Sequence, residues 1–146
     1  MTDGKKKDVA EVLILAGSES DRSVVEKTEK VLAEAGVEYT FEVASAHRSP
    51  DRVAELARQA EERGYRVIIA AAGLAAALPG VVAAHTRLPV IGLPVGAGPL
   101  KGLDALLAIA MLPPGVPVAT VGIDNGANAA HLALRILGRT PSATGR

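Results

Sequence analysis

Short apolar runs alternate with helix-like segments along almost the whole of this 146-residue chain. An uninterrupted apolar run is typical of a strand that is covered on both faces of its sheet. The predicted strands are Glu11–Ala16, Tyr39–Ala44, Arg66–Ala72, Pro89–Leu93 and Val116–Val121. The predicted helices are Asp21–Ala35, Pro50–Arg63, Pro79–His85, Leu103–Met111 and Asn125–Leu137. Because alternating strands and helices pair in parallel through right-handed crossovers, we predict an α/β fold, a three-layer αβα sandwich around a central parallel sheet.

The chain contains no linker or internal repeat, so we expect one domain over residues 9–138. The polar residues 1–8 are predicted to form a frayed N-terminal tail, and residues 139–146 a polar C-terminal tail. The first eight residues are too polar for a signal peptide, and no apolar run approaches the ~20 residues of a membrane-spanning helix. The absence of cysteine excludes disulfides, thiolate catalysis and sulfur-ligated metals. We therefore expect a cytoplasmic protein with no membrane partner.

The charge balance gives no sign of an anionic partner. Sixteen Lys and Arg residues cancel sixteen Asp and Glu residues, so the formal net charge is zero. The aromatic residues are only Tyr39, Phe41 and Tyr65, which disfavours a flavin site or a platform for stacked bases. We therefore predict no nucleic-acid partner.

The loop after the first predicted strand suits a phosphorylated sugar. Ligands of such sheets bind at the carboxyl ends of the strands, so the loops that leave the strands are the places to search. Gly17–Asp21 combine a tight turn with two hydroxyls, a carboxylate and free amides at a helix start. Amides and hydroxyls suit phosphate, and the Asp21 carboxylate suits ribose hydroxyls. Helix capping by Ser18, Ser20 or Asp21 remains the alternative. The loop lacks GxGxxG, so a dinucleotide is not indicated.

The loop after the second predicted strand, Ser45–Pro50, contains a candidate acid/base beside a cation. The planar guanidinium of Arg48 suits a phosphate or a carboxylate. The imidazole of His47 can exchange protons with a ligand, although an idle, solvated histidine is the alternative. His85 and His131 fall within predicted helices, where packing or exposure is expected. No histidines and carboxylates have metal-ligand spacing, so no metal site is predicted.

The loop after the third predicted strand begins at Gly73 and runs through three alanines, Ala75 to Ala77. Small side chains would let a flat ligand lie against the backbone and reach its amides. Packing of a helix on the sheet would also favour small residues, so this segment alone leaves both interpretations open.

Taken together, these loops resemble the PurE family, the carboxyaminoimidazole ribonucleotide mutases of de novo purine biosynthesis. The resemblance runs from about Val12 to Leu137, almost the whole chain. It is carried by the ordered motifs GSESD (Gly17–Asp21), SAHRSPDR (Ser45–Arg52), AGLAAALPG (Ala72–Gly80), LPVIGLPV (Leu88–Val95), GLDALLAI (Gly102–Ile109) and PPGVPVATVGID (Pro113–Asp124). The resemblance implies a flavodoxin-like fold, a homo-octamer with active sites at subunit contacts, and a reaction without metal, ATP or redox cofactor.

The resemblance also implies a reaction and its residues. N5-carboxyaminoimidazole ribonucleotide would become 4-carboxy-5-aminoimidazole ribonucleotide, its carboxylate leaving as carbon dioxide, staying in the pocket and adding again at ring carbon C4. His47 would be the catalytic acid/base. Ser18, Asp21 and Arg48 would bind the phosphate and ribose. The full substrate-binding set is Ser18, Ser20, Asp21, Ser45, Ala46, Arg48, Gly73, Leu74, Ala75, Ala77 and Leu78.

One departure from the mutase pattern leaves the reaction open. Ala77 stands where the mutase motif AAHLPG has a histidine, which the carboxylases of the family that use free carbon dioxide also lack. A direct aminoimidazole ribonucleotide carboxylase, or a decarboxylase, is therefore an alternative, although Arg48 favours the mutase because those carboxylases usually carry Lys there. A non-catalytic nucleotide-binding module is a further alternative, against which His47 argues. Ile123–Gly126 resemble carboxylases of a pyridine mononucleotide, which the other loops fit poorly.

Overall fold

The computed structural model describes residues 9–139, in which strands and helices alternate as predicted. The strands are β1 (Val12–Ala16), β2 (Tyr39–Val43), β3 (Val67–Gly73), β4 (Val90–Val95) and β5 (Ala119–Thr120). The helices are α1 (Arg22–Glu34), α2 (Pro50–Gln59), α3 (Leu78–His85), α4 (Leu103–Ala110) and α5 (Gly126–Ile136), and a 3-10 turn, Glu19–Asp21, precedes α1. The predicted tails, 1–8 and 139–146, lie outside the described residues except for Arg139. The single domain over residues 9–138 stays a prediction.

The five strands form one parallel sheet in the order β2-β1-β3-β4-β5. Ile14 of β1 lies between Phe41 of β2 and Ile69 of β3. This is the flavodoxin-like order, so the predicted fold class is confirmed. The strand order reverses between β1 and β3, which is where a sheet of this kind opens a crevice at its carboxyl edge.

Alternate residues of the central strands pack into separate cores on the two faces of the sheet. Leu13 and Leu15 of β1 belong to the core that α2, α3 and α4 cover. Val12 and Ile14 belong to the core that α1 and α5 cover. Because both faces are dry, every residue of β1 is buried, which explains the uninterrupted apolar run.

The edge strand β5 is shorter than predicted. The sequence indicates a strand over Val116–Val121, but only Ala119 and Thr120 pair with β4. Pro117 has no N–H to donate to a ladder, and both paired residues are exposed. The apolar run before Ala119 is therefore a loop that leans on the core, with Val116 and Val118 half-buried. Within residues 9–139 no helix has both the length and the apolar character to cross a bilayer.

Candidate functional site

A cavity of about 430 Å³ opens at the carboxyl edge of the sheet, beside the reversal between β1 and β3. The loops after β1, β2, β3 and β4 all contribute to its wall. Its lining residues are Gly17, Ser18, Ser20, Asp21, Ser45, Ala46, His47, Arg48, Ala72, Gly73, Leu74, Ala75, Ala76, Ala77, Leu78 and Ala97. All twelve residues of the predicted site therefore meet at one place, although they come from three separate segments of the chain.

The hydroxyls of the β1 loop are already ordered by hydrogen bonds. The Ser18 Oγ accepts a hydrogen bond from the Ser20 N–H at 3.2 Å and lies 2.9 Å from the Ser20 Oγ. Ser18 therefore caps the 3-10 turn, as the capping alternative predicts, and it also lines the cavity. A cap of this kind fixes the direction of the hydroxyl before any ligand arrives.

Asp21 is a buried carboxylate in the wall of the cavity. Only 6% of the residue is exposed, and its side chain makes no capping hydrogen bond to α1. Burial raises the pKa of Asp21 above its ordinary value of 3.8, and a backbone hydrogen bond from Ser18 opposes that rise. A carboxylate that is desolvated but not used for capping has acceptor capacity left for a ligand's hydroxyl groups.

The β2 loop presents His47 and Arg48 on an exposed turn. The Arg48 N–H donates to the Ser45 Oγ at 3.1 Å, and the Ser49 N–H donates to the Ser45 carbonyl at 2.8 Å. These bonds hold the turn, and both His47 and Arg48 line the cavity. In residues 9–139 no carboxylate lies within ion-pair distance of Arg48. Its charge is available to an anion.

The neighbouring Arg52 shows what a purely structural arginine looks like in this segment. Its guanidinium contacts the Glu42 carboxylate at 2.7 Å and the Glu55 carboxylate at 3.1 Å. Both carboxylates raise the pKa of Arg52, the hydrogen bond to Glu42 most of all. Arg52 thus forms exposed ion pairs and does not line the cavity.

The β3 loop forms the apolar side of the cavity. The Ala76 N–H donates to the Leu74 carbonyl at 2.9 Å, which makes a tight turn directly after the strand. Ala77 is the N-cap of α3 and its side chain cannot accept a hydrogen bond, so amides of the first helical turn are left for water or a ligand. Ligand access to the backbone at these small residues stays a prediction.

Sequence reasoning missed four lining residues: Gly17, Ala72, Ala76 and Ala97. Ala97 comes from the loop after β4, whose position at a strand exit was the one available signal. The loop after β5 contributes no lining residue among those described. Instead the Asp124 carboxylate accepts a hydrogen bond from the Gly96 N–H at 2.7 Å and so supports the β4 loop from behind.

The other two histidines lie away from the cavity, as predicted. The Nδ1 of His85 is 2.8 Å from the Val81 carbonyl on the same helix, and His131 is half-buried on α5. Among the described residues no group of three or more histidine, cysteine or acidic side chains is arranged to hold a metal ion.

A more open depression of about 650 Å³ lies near the end of α3, at the opposite edge of the sheet, with Arg58 and Arg87 beside Glu61 and Glu62. Its mixed charges do not converge on one ligand.

Comparison with known proteins identifies close relatives of this arrangement. The family model described as AIR carboxylase matches residues 11–145. The N5-carboxyaminoimidazole ribonucleotide mutase of Pyrococcus abyssi is 56% identical over 132 residues, which are 90% of this chain and 76% of that protein. The mutase of the same name from Thermotoga maritima is 54% identical over 125 residues, 86% of this chain and 73% of that protein. The crystal structure of Treponema denticola PurE aligns with a TM-score of 0.77 at 32% identity, covering 87% of this chain and 79% of that one.

Proposed function

This chain belongs to the AIR carboxylase family, and we propose that it is an enzyme of purine biosynthesis that converts N5-carboxyaminoimidazole ribonucleotide into 4-carboxy-5-aminoimidazole ribonucleotide. The observation that carries the proposal is one cavity in which a buried carboxylate, two hydroxyls, a histidine and an arginine without a carboxylate partner in residues 9–139 meet an apolar wall. The names of relatives that are 54–56% identical over most of the chain support the same activity.

The polar side of the cavity suits the phosphate and ribose of the substrate. Arg48 would pair with the phosphate, and Ser18 and Ser20 would donate hydroxyl hydrogen bonds to it. Asp21 would accept hydrogen bonds from the ribose hydroxyls. This arrangement would place the imidazole ring of the substrate next to the β3 loop, where Gly73 and the alanines allow a flat ring to approach the backbone.

The proposed reaction moves one carboxyl group and one proton within the substrate. The bond between the exocyclic nitrogen and the carboxyl carbon breaks, and its electron pair stays on nitrogen, which takes up a proton. The released carbon dioxide is attacked by ring carbon C4, and the new C–C bond forms. C4 then loses its proton, so atoms and charge balance without an oxidant or a co-reactant. Holding carbon dioxide beside C4 replaces a bimolecular encounter with an oriented one.

His47 is the residue we assign to the proton transfers. Its side chain lines the cavity, and an imidazole can act both as a general base and as a general acid. It would accept the proton that C4 loses and return one to the exocyclic nitrogen. A site that only binds nucleotides would have no need of that group, so His47 argues against a non-catalytic nucleotide-binding module.

Use of free carbon dioxide is the second candidate activity, and Ala77 favours it. Ala77 lines the cavity with a methyl group at the position where the mutase motif has a histidine. A cavity with one imidazole has fewer means of relaying protons while carbon dioxide is retained. If carbon dioxide escapes before it is recaptured, the enzyme would act as an aminoimidazole ribonucleotide carboxylase, or as a decarboxylase in reverse.

We further propose that the working protein is a homo-octamer with active sites at subunit contacts. Exposed large apolar side chains support an assembly: Leu103 and Leu107 lie one turn apart on α4, Leu100 precedes the helix, and Met111 follows it and is 77% exposed. Exposed apolar residues grouped in this way mark interaction sites, and closed symmetric assemblies of one chain are the commonest occupants. A cytoplasmic location is also proposed, consistent with a chain that contains no cysteine.

The proposed function is tested by three separate incubations of the purified protein in the presence of isotope-labelled carbon dioxide. The substrates are the N5-carboxylated nucleotide, its C4-carboxylated isomer, and aminoimidazole ribonucleotide. Interconversion of the two isomers without uptake of label is the result expected of a mutase. Labelled product from aminoimidazole ribonucleotide, at a rate equal to or above isomer conversion, would contradict it and establish chemistry through free carbon dioxide.

A further inference from the structure

We infer that Leu74 determines whether carbon dioxide released in the cavity is retained there or exchanges with the solvent. Leu74 has this role only if the proposed carboxyl transfer takes place, so the assignment rests on the proposed function. The selectivity of the enzyme for retained over free carbon dioxide would then depend on one apolar side chain of the cavity lining.

Leu74 occupies a backbone conformation that leucine rarely adopts. Its φ is +54°, in the left-handed region, where a β-carbon approaches the following carbonyl oxygen. A glycine would adopt this φ without the steric penalty. Side chains held in such conformations concentrate at ligand-binding loops, where the surrounding structure imposes them. The conformation turns the chain sharply after β3, as the hydrogen bond from the Ala76 N–H to the Leu74 carbonyl shows.

The Leu74 side chain joins the β3 loop to the β4 loop. A β-carbon added at Gly98 would lie 2.5 Å from the Leu74 Cδ2, so the leucine rests directly against the Gly98 backbone. One residue earlier, a β-carbon added at Gly73 would lie 3.2 Å from the Ala97 β-carbon. The two loops therefore touch at consecutive positions, and Leu74 is the bulky side chain at that contact.

Leu74 combines this contact with exposure at the cavity. The residue is 51% exposed and lines the cavity together with Ala97. An apolar side chain that is half in water and in a strained backbone conformation contributes little to the stability of the isolated fold. Its placement is accounted for by the surface that it presents to the cavity.

Carbon dioxide is the ligand that this apolar wall suits. The loops after β1 and β2 supply the polar lining, whereas those after β3 and β4 supply Leu74 and the alanines. Carbon dioxide carries no charge and no net dipole, so dispersion contacts with apolar side chains are what can hold it. Removing the leucine side chain would open the contact between the two loops and provide an exit.

The experiment compares Leu74→Gly, Leu74→Ala and Leu74→Met with the parent enzyme. Each protein converts the N5-carboxylated nucleotide in the presence of labelled carbon dioxide, and the label in the C4-carboxylated product is counted. The Gly and Ala variants are expected to raise label incorporation about fivefold, since both remove the Leu74 Cδ2 that rests against Gly98. The Met variant, which retains an apolar side chain of similar volume, is expected to stay close to the parent.

Thermal midpoints separate the side-chain effect from the backbone effect. Leu74→Gly relieves the strain of the left-handed conformation and Leu74→Ala does not. The Gly variant is therefore expected to melt about 2–4 °C above the Ala variant, with equal label incorporation in the two. Lys101→Gly is the matched control, because Lys101 has a φ of +51° but lies outside the cavity lining. It is expected to leave label incorporation unchanged. Gly98→Ala retains Leu74 but displaces its Cδ2, and because Gly98 has a φ of +70° the alanine also strains the loop. This variant is therefore expected to raise incorporation by a second route and to melt at a lower temperature than the parent.

The outcomes that overturn the inference are distinct from those that overturn the proposed function. Isomer conversion with label incorporation equal to the parent in Leu74→Gly, Leu74→Ala and Gly98→Ala would refute the role of Leu74 alone. An equal rise in Lys101→Gly would refute it as well, since the effect would then follow from loop backbone strain. A parent protein that does not interconvert the isomers refutes the proposed function, and the role of Leu74 with it.

Discussion

The Asp124 carboxylate accepts a hydrogen bond from the Gly96 N–H at 2.7 Å, although 28 residues separate the two in the chain. In the other direction, the Asp124 N–H donates to the Pro94 carbonyl at 2.8 Å. The turn after β5 thus holds the start of the β4 loop, which brings Ala97 to the cavity. A residue with no direct part in the lining therefore fixes one wall of the site.

Replacing Asp124 is expected to destabilise the fold and weaken substrate binding together. Asp124 has a φ of +58°, which asparagine tolerates better than alanine, and an asparagine oxygen can still accept the Gly96 hydrogen bond. We expect Asp124→Ala to lower the free energy of unfolding by about 1–2 kcal/mol and to raise KM. Asp124→Asn, the matched control, should lose less than half as much in urea unfolding. Equal losses in the two variants would show that the hydrogen bond is not what holds the loop.

Arg48 is expected to contribute to nucleotide affinity and little to stability. Because its guanidinium has no carboxylate partner in residues 9–139, Arg48→Lys would lose only the planar, two-pronged contact with a phosphate. We expect the Kd for the nucleotide to rise about tenfold, which is about 1.4 kcal/mol, with an unchanged Tm. Arg52→Lys is the control from the same segment, and its exposed ion pairs predict less than about 1 kcal/mol of destabilisation and unaltered affinity. Calorimetric titration measures the nucleotide Kd of each variant, and thermal unfolding measures each Tm. Equal losses of affinity in Arg48→Lys and Arg52→Lys would contradict the assignment.

Titration of Asp21 is expected to make the free energy of unfolding depend on pH. Its pKa is raised from 3.8 by burial, so the folded state holds the proton more tightly than the unfolded chain does. The unfolded state therefore releases its proton first, and the free energy of unfolding decreases as the pH rises from 3.8 to the raised value. Asp21→Asn cannot lose a proton and escapes that decrease.

Unfolding of the parent and of Asp21→Asn across this pH range provides the test. The stability of the variant relative to the parent should grow through the window and then stay constant, while its nucleotide affinity at neutral pH falls. A relative stability that does not change with pH would show that the Asp21 carboxyl titrates alike in both states. The expected combination, a more stable protein that binds less well, is what a functional buried carboxylate produces.

Ala77→His is expected to shift the reaction toward retention of carbon dioxide. The added imidazole would lie in the cavity lining, at the position where the resemblance implies a histidine in the mutases. We expect less label from free carbon dioxide in the product and a higher ratio of mutase to decarboxylase activity. Ala75→His introduces the same group elsewhere in the same loop and serves as the control. An unchanged ratio in Ala77→His would show that position 77 does not control the outcome.

The layers of the fold and the composition of the site were predictable because they depend on local patterns. Uninterrupted apolar strands predict two covered faces, and polar residues at strand exits converge because parallel strands end at one edge. The length of β5 was predicted wrongly: the apolar run from Val116 suggested a full strand, but Pro117 and the edge position restrict pairing to Ala119 and Thr120.

Other features depend on contacts that no local pattern specifies. Ala97 was missed because an alanine carries no chemical signal, and only the folded β4 loop brings it to the cavity. The support that Asp124 gives to Gly96 joins two loops far apart in sequence. The left-handed φ of Leu74 was equally invisible, since leucine at such a position contradicts its own preference.

The most direct test of the account is the effect of His47→Ala on turnover and on nucleotide affinity, measured in the same preparation. If the cavity is a catalytic nucleotide site with His47 as its acid/base, kcat for isomer conversion should fall about 10²–10⁴-fold while the nucleotide Kd changes less than about threefold. His131→Ala, a half-buried histidine outside the cavity lining, should leave both values at the parent level. Full turnover in His47→Ala would contradict the central claim.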